Sequence, residues 1–184
     1  MEKQWSVTTN SLYKSVLLYS IAGVCAAIFG MIPFMGFLGQ IFNVGVVFGY
    51  AAFIVRLDDL SLIVNDNDAQ FVKKIRLGMI LYVVAMALAF IPVAGGILTA
   101  LVSIVAFVLL LLAYMNLKKS ETFPETGRKG ANTLFLAMIL GVVAGVFFII
   151  PIVGAILGGI LLIVCFVMNI LGWKKIAEPL AVQK

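Results

Sequence analysis

Few residues in this chain have side chains that could do chemistry. There is no histidine among the 184 residues, which removes the commonest metal ligand and the usual general base at neutral pH. Cys25 and Cys165 both lie inside apolar runs, where a thiol behaves as a small hydrophobe, so no structural disulfide is expected. Asp58, Asp59, Asp66 and Asp68 crowd one segment, but without the ligand run and turn glycine of a calcium loop. The expectation there is a solvated acidic segment and no metal. Thr126-Gly127-Arg128-Lys129-Gly130 lacks the spacing of a phosphate loop and a strand before it. No acid–base pair or triad-like spacing is present. The sequence therefore reads as a non-enzyme, with no catalytic, cofactor-binding or metal-binding residues and no cofactor.

The remaining candidates are neutral groups inside apolar stretches and basic residues at their ends. Ser20, Gln40, Asn43, Thr99, Ser103 and Asn169, with Tyr19, Tyr50 and Tyr82, are polar groups within otherwise apolar arms. Gln40, Thr99 and Gly158 share one repeat position (the repeat is described below), so Gln40 and Thr99 are candidates for a polar path; interhelical hydrogen bonding is the alternative. Gly23 with Ala27, and Gly141 with Gly145, have the four-residue spacing that lets helix backbones approach, within one chain or between copies. Lys73, Lys74, Arg76, Lys118, Lys119, Lys174 and Lys175 are candidates for contact with anionic lipid headgroups.

These residues sit in a chain that is 64% hydrophobic and only 11% charged, with a mean hydropathy of +1.19. A water-soluble domain carries about a quarter charged residues, and this chain could not cover its surface with so few. The net charge of +5 lacks the aromatic-interleaved basic stripe of single-strand nucleic-acid binders, so no nucleic-acid partner is expected. The expected partners are membrane lipids, a further copy of the chain or another membrane protein.

Three fragments repeat: Ile32-Pro33-Phe34-Met35-Gly36, Ile91-Pro92-Val93-Ala94-Gly95 and Ile150-Pro151-Ile152-Val153-Gly154. Their prolines stand 59 residues apart each time, and Ala26, Ala85 and Ala144 fall into the same register. Proline and the restriction it places on its predecessor break a helix, and glycine permits a tight reversal or close packing. The structural turns are thus Pro33 and Gly36, Pro92 and Gly95, Pro151 and Gly154. Charge-free stretches flank each turn, and each arm of ~20 residues is long enough to cross a ~30 Å hydrocarbon core.

The expected fold is an all-α integral membrane protein of six transmembrane helices, arranged as three tandem parallel hairpin repeats. Its segments are a tail (1–14), hairpins at 15–55, 77–117 and 131–173, loops at 56–76 and 118–130, and a second tail (174–184). Lys3 and Lys14 before an apolar run have the outline of a secretion signal, but the repeat makes that run the equal of two later ones, so a retained helix is expected.

Every Lys and Arg lies in the tails and the two loops. The positive-inside rule then places both termini and both loops in the cytoplasm, in a prokaryotic cytoplasmic membrane. Trp5, Tyr13, Tyr114 and Trp173 are expected at headgroup level. Parallel triplication of two-helix units resembles the layout of the mitochondrial carriers; the charged gates that follow the prolines in that family have no counterpart between Phe34 and Phe37, Val93 and Gly96, or Ile152 and Ala155.

The absence of Asp, Glu, Lys, Arg and His within the arms disfavours proton- or ion-coupled transport. The function expected is that of a lipid- or partner-binding module supporting membrane assembly or envelope integrity. The alternatives are a small channel or carrier for neutral or lipidic solutes, and a membrane-shaping hairpin protein.

Overall fold

The computed structural model describes residues 2–32, 34–88, 91 and 95–178. They form six helices: α1 (Glu2–Met31), α2 (Gly36–Ile63), α3 (Asp66–Leu88), α4 (Gly95–Leu117), α5 (Glu125–Phe147) and α6 (Val153–Ala177). No strand occurs among the described residues. Five of the helices are long and apolar enough to cross a membrane, and the fold is that of an all-α membrane protein. The sixth, α3, carries Asp66, Asp68, Lys73, Lys74 and Arg76 in its first half, too many charges for that description.

Much of the expected tail and loop sequence is helical. Residues 2–14 belong to α1, and the 56–76 segment is the end of α2 and the start of α3, joined only by Val64 and Asn65. The helices continue because their inward positions stay apolar: Leu57 and Leu60 on α2, and Val72 and Ile75 on α3, are buried. Asn65 starts α3 as an N-cap. Its side-chain oxygen accepts the Asn67 N–H at 3.2 Å, satisfying a donor that has no partner within the helix. Asp66 and Asp68 occupy the first turn, where negative charge is favoured by the helix dipole.

Helices α1 and α2, α3 and α4, and α5 and α6 pair as hairpins. Helix α2 also meets α3, α4 meets α5, and α1 meets α6, so the hairpins close into a ring. Small residues make each hairpin crossing. A Cβ on Gly49 would stand 2.7 Å from the Tyr19 backbone nitrogen, one on Gly78 2.8 Å from Leu110 Cγ, and one on Gly172 2.6 Å from Leu134 Cγ.

Pro33 and Pro92 lie outside the described residues. At the third turn, the Ile150 N–H donates to the Phe147 carbonyl at 2.9 Å and the Val153 N–H to the Pro151 carbonyl at 2.7 Å. Ile152 adopts φ 62°, ψ −72°, a γ-turn conformation that is strained for a β-branched residue. Its repeat equivalent Phe34 has φ 67°. Gly154 has an ordinary φ, yet a Cβ there would collide with the Phe147 carbonyl oxygen; glycine is required for space, not for backbone conformation. Gly95, buried at the start of α4, donates its N–H to the Ile91 carbonyl at 3.0 Å, and Gly36 begins α2.

The core lies in the charged half of the ring. Leu12, Val16, Phe53, Leu57, Ile75, Leu117, Leu134, Trp173 and Ile176 are all buried in one cluster drawn from the six helices. In the turn half, the buried hydrophobic residues among those described are alanines such as Ala22, Ala85 and Ala144. The hairpins are packed together at the charged end and held mainly by their own crossings toward the turns.

Candidate functional site

Above the core, the ring surrounds a partly open chamber of about 560 Å³ lined by residues from all six helices. Phe53, Tyr114, Leu134 and Trp173 belong both to the core and to the chamber, and so form its floor. Trp173 is 2% exposed. It stands edge-on to Phe53, with centroids 4.8 Å apart, and to Tyr114, at 6.5 Å. Tyr19 stacks on Tyr50 at 4.4 Å with 10° between the rings. Tyr82, Phe107, Met79 and Met138 complete the wall.

The void follows from a change of side-chain size along the inward stripes. On α1, the buried residues Trp5, Thr9, Leu12 and Val16 recur at helical spacing. The next positions on that stripe are Ser20, Gly23 and Ala27, which are too small to meet across the ring. On α5, Leu134 gives way one or two turns later to Ala137 and Gly141. A Cβ at Gly141 or Gly145 would meet no atom within 4 Å, so this small-residue pair borders open space and not a helix partner.

Chemically, the chamber has an uncharged aromatic and aliphatic lining. No charged residue lines it. Its polar groups include the Tyr19 hydroxyl, which accepts a hydrogen bond from Asn169 Nδ2 at 3.3 Å, and the Tyr50, Tyr82 and Tyr114 hydroxyls. Its volume falls in the range of small-molecule and cofactor sites. A side recess of about 380 Å³ shares Tyr19, Tyr50 and Asn169 with it and runs between α1, α2 and α6.

The residues expected to form a polar path are not in this chamber. Gln40 is exposed on α2. Thr99 donates to the Ala85 carbonyl at 3.0 Å across the second hairpin. In the third hairpin a Cβ on Gly158 would lie 3.1 Å from the Ala144 carbonyl oxygen, the equivalent contact. In the second and third hairpins this column is the internal crossing, where Thr99 acts as interhelical glue.

The basic candidates divide into two groups. Lys73, Lys74, Lys119 and Lys174 are exposed, with Lys74 Nζ 5.4 Å from the Phe71 ring centroid. Arg76, Lys118 and Lys175 are engaged within the protein. Arg76 Nη1 pairs with Asp58 at 2.6 Å, joining α3 to α2. Lys118 Nζ lies 3.6 Å from the Phe135 ring centroid, and Lys175 Nζ donates to Thr133 Oγ1 at 3.0 Å.

Two expectations need correction. Trp5, Tyr114 and Trp173 are buried core residues and not headgroup-level anchors, because the charged ends of the helices converge on them. Asp68 is not solvated: it is fully buried, and Oδ2 accepts the Thr122 hydroxyl at 2.7 Å. Asp68 Oδ1 and Trp5 Nε1 have no protein partner, so each has capacity for a buried water. Sequence reasoning also missed the convergence of Tyr19, Asn169 and Trp173, since residues 150 positions apart carry no local signal of contact. Among the described residues, no cluster of three metal-ligating side chains occurs. Comparisons of the chain with protein-family models, curated proteins and solved structures find no match.

Proposed function

We propose that this protein is a non-enzymatic lipid-binding module that spans a membrane six times and holds the hydrophobic part of a lipid in the chamber of its ring. The observation that carries this reading is the chamber itself, bounded by all six helices, free of charged side chains and closed at its floor by Trp173 and its neighbours. An uncharged, largely apolar site of this kind takes an uncharged body. The closed floor favours holding a molecule over conducting it to the charged end. No acid–base pair lines the wall, which favours binding over turnover. The basic residues at the charged end favour a cytoplasmic location for that end and for both termini, in a prokaryotic cytoplasmic membrane. There the module supports membrane assembly or envelope integrity.

Native mass spectrometry of the protein, gently extracted from its own membrane, tests the proposal. The expected result is a protomer or small assembly that retains a lipid after bulk detergent is stripped. Gly141→Trp, which places a large side chain in open space at the chamber wall, should expel that lipid while leaving the helical content intact. A wild-type protein free of lipid, or a variant that holds it equally well, would refute the reading.

A further inference from the structure

The seam between α1 and α6 closes the ring by bringing together the first and last helices of the chain. The side recess of the chamber lies along this seam. Ser20, Gly23 and Ala27 of α1 form one side, with Phe166 and Asn169 of α6 among the other lining residues. Ser20 is 2% exposed, and its hydroxyl has no hydrogen-bond partner. A buried hydroxyl left unpaired is unfavourable, so a group that bonds it here is favoured. Val24 and Ala27 are exposed at the margin of the recess, which opens it laterally. Tyr19, Tyr50 and Asn169 line both spaces, so the recess adjoins the chamber across these three side chains.

We propose that this seam is the lateral access route of the chamber and a polar subsite for a neutral lipid, whose carbonyl or hydroxyl oxygens are bonded by Ser20, Asn169 and Tyr19 while its chain fills the chamber. The inference rests on the lipid-binding reading above and adds the ligand class and the route. The recess supplies O–H donors from Ser20, Tyr19 and Tyr50 and an N–H donor from Asn169, and none of its lining residues is charged. Neutral oxygen acceptors match that set. A phosphate headgroup does not, because burying its charge without a cationic partner is strongly unfavourable. Two sources share the matching chemistry: the ester carbonyls of a diacylglycerol and the ring carbonyls of a benzoquinone with a hydrocarbon tail.

The test uses the full chain in nanodiscs with Trp5→Phe, so that Trp173 on the chamber floor is the sole fluorophore of its kind. Diacylglycerol brominated along its chains, phosphatidylglycerol with the same brominated chains, and a short-tail benzoquinone are titrated separately as quenchers. The expected result is saturable quenching of Trp173 by the diacylglycerol, the benzoquinone or both, at a lower mole fraction than by phosphatidylglycerol. Ser20→Ala and Asn169→Leu should each weaken the neutral ligand about fivefold, the scale of one hydrogen bond, without changing the response to phosphatidylglycerol. Ala27→Trp should slow the onset of quenching by narrowing the seam. Circular dichroism identical to the parent's qualifies each variant as folded. Equal quenching by charged and neutral lipids, unaffected by Ser20→Ala and Asn169→Leu, would overturn the polar subsite while leaving lipid binding intact. Absence of quenching by every probe would overturn both.

Discussion

Asp68 carries the least expected burden of any single residue. Its carboxylate is fully buried at the start of α3, and one oxygen depends on the Thr122 hydroxyl 2.7 Å away in the connection between α4 and α5. Removing that donor leaves a buried charged acceptor unpaired. We expect Thr122→Ala to lower stability by about 1–3 kcal/mol, measured by unfolding in mixed micelles of dodecylmaltoside and sodium dodecyl sulfate. Asp58→Asn should cost less than about 1 kcal/mol. Asp58 and Arg76 are 48% and 38% exposed, and water screens such a pair. Equal losses from the two variants would mean that burial does not separate their roles. Asp68 and Asp58 look alike in the sequence, because a carboxylate beside an apolar arm carries no mark of the side chain that will cover it.

At the scale of the helices, the hairpin crossing is the unit of construction. Its close contacts require glycine only where the partner cannot yield. At Gly49 the neighbouring atoms are the backbone nitrogen and Cα of Tyr19, so Gly49→Ala should separate α1 from α2 and destabilise the protein by roughly 1–3 kcal/mol, the usual cost of overpacking. At Gly159 a Cβ would meet no atom within 4 Å. Gly159→Ala should therefore be neutral or stabilising by up to about 1 kcal/mol, through helix propensity alone. The same mixed-micelle unfolding decides between them, and a loss at Gly159 as large as that at Gly49 would contradict the assigned crossing. Hairpins were legible in the sequence because proline, glycine and arm length act locally. The four-residue spacing of small residues was legible too, but not its use: Gly141 and Gly145 have the spacing of a helix contact and border open space.

For the molecule as a whole, the decisive contact is between α1 and α6, which turns three tandem hairpins into a ring. A variant with Cys25 and Cys165 replaced by alanine, carrying Tyr19→Cys and Asn169→Cys, should cross-link within one chain when treated with a short bis-maleimide in dilute detergent. The product would migrate as a compact monomer on denaturing gels. Cross-linking only between chains would indicate an open row. The ring is not threefold in section. Val55, Tyr114 and Trp173 share one repeat position, yet Val55 is 63% exposed while the other two are buried. Helix α2 instead presents Phe53, Leu57 and Leu60 to the core. The chamber inherits this asymmetry, with Tyr82 on α3 at the position that is Gly23 on α1 and Gly141 on α5.

The sequence by itself determined the apolar arms, the sites of the turns, the pairing of arms into hairpins and the segregation of charge to one end. Each of these depends on residues near one another in the chain, and on the length a helix needs to cross hydrocarbon. Only the tertiary structure decided that the ring closes, which face of α2 turns inward, that Trp5 and Trp173 are core, and where the chamber lies. The reason is physical. An arm that is apolar on every side has no polar face to mark its outside, so many rotations about its axis are equally acceptable to lipid. The choice among them is made by packing against neighbouring helices. That packing is set by the sizes of side chains brought together from distant parts of the chain, as where Ser20 and Gly23 of the first helix leave room beside Asn169 of the last.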